Sequence, residues 1–268
     1  MRRRRTFGAL ILGLAVVLAV LLPGRLALAA DIGVVVLHGK GGMPNGLVKP
    51  LAAYLEREGF AVANLEMPWS KHREYGASPE DGVAEIGAAF AAMKESGVTR
   101  IFVAGHSLGA LFAAHYAAER PVTGLVLIAP GGNVASDFWQ KKVALSLAEA
   151  DGMIEAGKGD EVGDFADFEG SKGDFTIRTT PRHYKAWFST QSPLNQVRAY
   201  DRLPSGLPVL NVVPVNDYKG LLRGKHARFR QLPPTPMLEM YEPDTDHKSA
   251  PDVAAEKIAA WIRAVAAH

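Results

Sequence analysis

The sequence contains no cysteine. That absence excludes disulfides, thiolate metal sites, a cysteine nucleophile and a lipid-modified N-terminal cysteine. Past the N-terminal segment it also lacks any Lys/Arg cluster beyond short pairs such as Lys141-Lys142, so nothing points to nucleic acid or an anionic membrane as a partner. His38, His72, His106, His115, His183 and His226 share no ligand spacing such as H-x-x-x-H, so no metal site is expected. The "GKGG" at 39–42 lacks the Gly-Lys-Ser/Thr continuation of a phosphate loop, and no cofactor is implied. No repeat and no low-complexity tract is found.

The one long apolar run lies at the start. "MRRRRTFGALILGLAVVLAVLLPGRLALAA" has an arginine head, an apolar stretch from Phe7 to Leu22, a Pro23-Gly24 breaker and a small-residue "ALA" at Ala27 to Ala29. This layout predicts a signal peptide over 1–30, cleaved after Ala29 or Ala30, and hence a periplasmic or secreted protein. The alternative is a retained membrane anchor, but 16 residues make a helix of about 24 Å against a hydrocarbon core of roughly 30 Å. Without residues 1–29 the chain loses five arginines, leaving 25 Lys and Arg against 28 Asp and Glu; the net charge becomes −3 instead of +2.

From residue 31 on, β-branched runs alternate with longer helical patterns, which predicts an α/β domain with a mostly parallel sheet. "IGVVVLHG" reads as a strand buried on both faces and ending in a glycine-rich loop. "LVKPLAAYLEREG" reads as a helix, "FAVANLEMP" as a strand, and "SPEDGVAEIGAAFAAMKESG" as a helix capped by Ser78 with Pro79 at its first position. "RIFVAG", a helix from Ser107 and the strand "GLVLIAP" follow. The alternation stops after Pro130 and resumes at "LPVLNVVPVND", with a further strand at "MLEMYEP" and a closing helix "DVAAEKIAAWIRAVA". Residues 133–200 show one clear helix, Phe138 to Ala156, then a glycine- and acid-rich stretch. They hold nine of the 22 aromatics, too many for a disordered linker, so the segment is expected to pack over something.

Gly105-His106-Ser107-Leu108-Gly109 carries the chemistry. G-x-S-x-G is a weak string by itself, but here it follows "RIFVA" and opens a helix. In that setting the serine sits on a strained turn, the glycines let strand and helix approach, and the helix N-terminus offers unpaired N–H groups to a developing negative charge. A serine hydroxyl needs a base to take its proton, and the base needs a carboxylate to hold its tautomer.

With this elbow, the "HG" after the first central strand and the order serine, acid, histidine, the chain resembles the α/β-hydrolase superfamily over residues 32–265. The resemblance implies that fold, with a lid insertion at about 133–200, and a Ser107, His247, Asp217 triad. Asp217 ends "VLNVVPVND" and His247 stands in "YEPDTDHKSAP"; Asp201 is the nearest competitor for the acid role. It further implies an oxyanion hole from the backbone N–H groups of Leu108 and Lys40, with Gly41 as the other candidate for the second donor. Trp69, Trp139, Trp187 and Phe188 are candidate pocket residues, or else glue between lid and core. The expected activity is cleavage of a carboxylic ester or related acyl bond in a small or lipid-like substrate. An acyltransferase with the same triad, and a non-catalytic envelope binding protein on this scaffold, are the alternatives.

Overall fold

The computed structural model describes residues 31–170 and 172–268; the expected signal peptide lies outside the described residues. Among those residues no helix is long and apolar enough to cross a membrane.

Six strands form the main sheet: β1 (Ile32–Leu37), β2 (Ala61–Leu65), β3 (Arg100–His106), β4 (Gly124–Ile128), β7 (Val209–Val212) and β8 (Leu238–Tyr241). Their spatial order is β2-β1-β3-β4-β7-β8 and every pairing is parallel. β1 pairs with β2, the edge strand, on one side and with β3 on the other. The chain leaves β1 and β3 toward helices on opposite faces of the sheet, and it is at the carboxyl edge of such a switch point that α/β sheets hold their sites.

Period-two alternation explains why the strands read as unbroken apolar runs. Val34, Val36, Phe102, Ala104, Val126, Ile128, Leu210 and Val212 pack on one face with Leu51 and Leu55 of α1 (Lys49–Arg57) and Ile258, Trp261 and Ile262 of α10 (Ala255–Ala266). Their neighbours Val35, Leu37, Ile101, Val103, Leu125, Leu127 and Val209 pack on the other face with Ile86 and Phe90 of α2 (Pro79–Glu95) and Leu111 and Phe112 of α3 (Leu108–Glu119). Both faces are covered, so the central strands are almost wholly apolar, with His106 and Asn211 as buried polar exceptions. At α2 the capping prediction holds. Ser78 Oγ accepts the Asp81 N–H at 3.1 Å, Asp81 Oδ2 accepts the Ser78 N–H at 2.9 Å, and Pro79 starts the helix.

Between β4 and β7 lie α4 (Asp137–Glu155), β5 (Gly163–Glu169), β6 (Gly173–Thr179), α5 (Pro181–Phe188) and α6 (Gln196–Asp201). Much of the glycine- and acid-rich stretch, to which no element was assigned from the sequence, lies in an antiparallel hairpin with Phe165 opposite Ile177 and Asp167 opposite Phe175. Its inward residues Phe165, Asp167 and Ile177 are buried while Asp164, Asp174 and Thr176 stay outside or partly so. The hairpin thus shows strand alternation carried by few apolar residues. The segment covers the α2–α3 face, and its aromatics apart from the exposed Phe138 join that core. After β7, two short helices, α7 (Lys219–Arg223) and α8 (Lys225–Phe229), precede β8, and α9 (Ala250–Val253) breaks at Ala254 before α10.

Candidate active site

Ser107 links β3 to α3 with φ 55° and ψ −117°, a conformation that side chains rarely adopt. The flanking glycines are sterically required. A Cβ on Gly105 would lie 2.1 Å from the Gly109 carbonyl oxygen, and one on Gly109 would lie 2.5 Å from the His38 oxygen and 2.7 Å from that of Leu37. All of these are backbone atoms, which cannot swing aside. Ser107 N–H donates to the Ile128 carbonyl at 2.9 Å, tying the turn to β4, where Ala129 is also left-handed at φ 47°. Strain of about 1–3 kcal/mol per such residue persists only where surrounding structure enforces it.

Asp217 and His247 come together because the β7–β8 pairing runs on past the strands. Val213 N–H donates to the Tyr241 carbonyl, Val215 N–H to Pro243 and Asn216 N–H to Thr245, at 2.8, 3.0 and 3.1 Å, and Asn216 bridges Asp246. The two loops are thus zipped together at the sheet edge. Asp217 Oδ1 accepts from His247 Nδ1 at 2.8 Å, and His247 Nε2 stands 3.0 Å from Ser107 Oγ. The partners assign the tautomer: Nδ1 carries the proton toward the carboxylate, and Nε2 accepts from the serine hydroxyl. Asp217 Oδ1 also accepts the Tyr218 N–H at 2.6 Å, and the Tyr218 ring lies 4.7 Å from the imidazole. The competitor Asp201 is exposed at the end of α6, and of the two acids just before His247, Asp244 accepts from Asn216 and Asp246 accepts the Ser249 N–H.

Two further histidines build the floor. His106 is buried, and burial, helped by the adjacent His247, pushes its pKa down to about 4. It is therefore neutral, and its Nε2–H donates to the His247 carbonyl at 2.9 Å, fixing that residue's backbone. His38 Nδ1–H donates to the Gly39 carbonyl at 2.8 Å while Nε2 accepts the Met67 N–H at 3.0 Å; burial lowers its pKa as well. Among the described residues no group of three or more His, Asp or Glu side chains could hold a metal ion.

Leu108 is the first residue of α3, where backbone N–H groups have no intrahelical acceptor. Of the two candidates in the loop after β1, Gly41 N–H is committed to the Trp69 carbonyl at 2.9 Å. Lys40 follows Gly39, whose added Cβ would come within 3.2 Å of Ser107 Cβ, so its backbone runs beside the nucleophile. Trp69, Trp187, Phe188 and Trp139 are all buried. Trp69 meets Phe112 and Trp187 edge-on at 5.0 and 5.8 Å, and Trp139 stacks on Phe188 at 6.2 Å. These rings fasten the 133–200 segment to the α3 face. A cavity of about 310 Å³ lies instead by the far end of α3, lined by His115, Glu119, Arg198 and Arg202 among others. Sequence reading missed the Tyr218 contact and a partner for the Lys40 side chain, Asp167, 127 positions away; no local signal marks either.

The fold is that of the α/β-hydrolase superfamily. Residues 29–154, just under half the chain, match the family described as serine aminopeptidase, S33. Among solved structures, the chain is similar to DcsB in complex with its substrate analogue (16% identity, 90% of this chain and 92% of that one, TM-score 0.69). It is also similar to the α/β-hydrolase GrgF from Penicillium sp. sh18 (12%, 90% and 92%, 0.68) and to a monoacylglycerol lipase from Paleococcus ferrophilus (19%, 87% and 94%, 0.60). No curated protein sequence matches it significantly.

Proposed function

We propose that the chain is a serine hydrolase that cleaves a carboxylic ester or related acyl bond, exported by way of residues 1–30. The observation that carries this reading is the unbroken relay from Asp217 through His247 to Ser107 at the carboxyl edge of the sheet. The superfamily fold and the likeness to a monoacylglycerol lipase support an ester substrate.

In this mechanism Ser107 Oγ attacks the carbonyl carbon as its proton passes to His247 Nε2. Asp217 stabilises the imidazolium and keeps its other nitrogen protonated. The oxyanion of the tetrahedral intermediate is held by the N–H groups of Leu108 and Lys40. His247 then returns the proton to the leaving alcohol. A water deprotonated by His247 attacks the acyl-enzyme, and collapse of the second tetrahedral intermediate releases the acid and restores Ser107.

Ser107→Ala tests the assignment. Wild type is expected to be labelled covalently by a fluorophosphonate and Ser107→Ala not at all, with ester turnover reduced on the order of 10⁴- to 10⁶-fold at unchanged folding. Labelling of Ser107→Ala at the wild-type rate would move the nucleophile elsewhere.

A further inference from the structure

Lys40, whose N–H is the second oxyanion donor in this mechanism, also carries a side chain with a partner far along the chain. Lys40 extends into the 133–200 segment. Its Nζ lies 2.6 Å from Asp167 Oδ1 and 3.1 Å from the Phe168 carbonyl, and sits 4.0 Å over the Trp139 ring and 5.6 Å from that of Phe188. The pair is sealed from solvent, with the lysine side chain 9% and the aspartate side chain 0% exposed. Asp167 Oδ1 also accepts the Phe168 N–H at 2.6 Å, which orients the carboxylate within β5. One ammonium group thus touches α4, β5 and α5 together.

The other side of the loop is tied to the scaffold. Gly41 N–H donates to the Trp69 carbonyl, Trp69 Nε1–H to the His38 carbonyl at 2.9 Å, and Gly42 N–H to the Gly39 carbonyl at 3.0 Å. The Lys40 backbone lies between these two sets of restraints, directly after Gly39, whose added Cβ would lie 3.2 Å from Ser107 Cβ. An oxyanion donor works only if it is already aimed, since reorienting it during reaction forfeits the stabilisation.

We infer that Asp167 is a positioning residue: through the Lys40 side chain it holds the Lys40 amide beside Ser107, so that the 133–200 segment completes the reaction site as well as covering it. The inference rests on the hydrolase reading above. Ion pairs as buried as this one are replaceable by apolar residues at little cost in stability, so a purely structural pair and a positioning pair behave differently.

Lys40→Met keeps the backbone N–H and removes only the anchor, Asp167→Asn removes the countercharge, and Asp167→Glu retains it. In Lys40→Met/Asp167→Leu the site is filled with apolar groups. The full-length chain is assayed for the second-order rate of fluorophosphonate labelling at Ser107, per folded molecule, with Tm measured alongside. Lys40→Met and Asp167→Asn are expected to label about 10- to 100-fold more slowly, Asp167→Glu to recover part of the rate, and the double variant to stay slow even where Tm returns. Wild-type labelling rates in Lys40→Met, Asp167→Asn or the double variant would reduce the pair to a stability device and overturn the inference alone. A wild-type chain that the probe does not label would overturn the hydrolase reading, and this inference with it.

Discussion

At the nucleophile elbow a single methyl group has nowhere to go, whereas in the 133–200 segment whole aromatic rings are the means of attachment. Around Ser107 the close contacts are backbone against backbone: Gly105 on Gly109, and Gly109 on the carbonyls of Leu37 and His38. In the insertion the contacts are side chain on side chain, Trp187 on Trp69, Tyr75 and Phe112, and Tyr184 between Phe165 and Phe188. Backbone crowding tolerates no substitution, because the chain itself would have to move. Side-chain packing loses stability in proportion to what is removed and can relax around the loss. The nucleophile thus sits on the unyielding part, and the adaptable part is laid over it and reaches the site through the Lys40–Asp167 pair.

Substitution at Gly105 tests the first half of this contrast and has the largest expected effect. Gly105→Ala places its Cβ within 2.6 Å of three backbone atoms. It should cost more than about 4 kcal/mol and leave little soluble, cooperatively melting protein. A well-folded Gly105→Ala, by Tm and soluble yield, would break the steric account of the elbow.

Trp187→Ala tests the second half. Its ring is fully buried and its Nε1–H donates to the Ala77 carbonyl at 2.8 Å, so truncation should cost about 3–5 kcal/mol and lower Tm by roughly 10 °C. The labelling rate per folded molecule is expected to fall far less than the stability. An unchanged Tm together with a raised KM for esters would return Trp187 to the substrate pocket.

The smallest effect is in the pH dependence of stability, and it belongs to the elbow side. His106 has a folded-state pKa depressed to about 4 by burial, against 6.5 for the free side chain. As the pH falls through 6.5 the unfolded chain takes up a proton that the folded chain refuses. Stability present above pH 6.5 is therefore lost progressively down to about pH 4, with about 1 kcal/mol gone at pH 5.5. His38, also pushed down by burial, acts in the same direction. His106→Asn, which keeps a donor for the His247 carbonyl, should show a flatter Tm profile between pH 7 and 4.5. A slope identical to wild type would remove His106 from this linkage.

Legibility in the sequence follows the same division. "GHSLG" announces itself because a serine at positive φ on a strand-to-helix turn and the Gly105 collision with Gly109 are local demands, whereas Gly109 is required by the distant Leu37 and His38 carbonyls. The strands are legible because burial on both faces makes them unbroken apolar runs, as in "IGVVVL" and "GLVLI". The hairpin at 163–179 is not, since Phe165 and Asp167 become inward residues only once α4 and α5 are there to receive them. Even Tyr218, adjacent to Asp217, meets His247 only because the loops after β7 and β8 pair.

The sequence by itself determined the βα alternation, the Ser78 cap of α2, and a serine on a strained strand-to-helix turn, because periodicity, capping and turn geometry act within a few residues. Only the tertiary structure decided that His247 lies 3.0 Å from Ser107, that His106 is neutral and holds the His247 backbone, and that Lys40 is sealed against Asp167. Those depend on strand register, on desolvation and on charges from distant parts of the chain meeting in a space that water cannot enter.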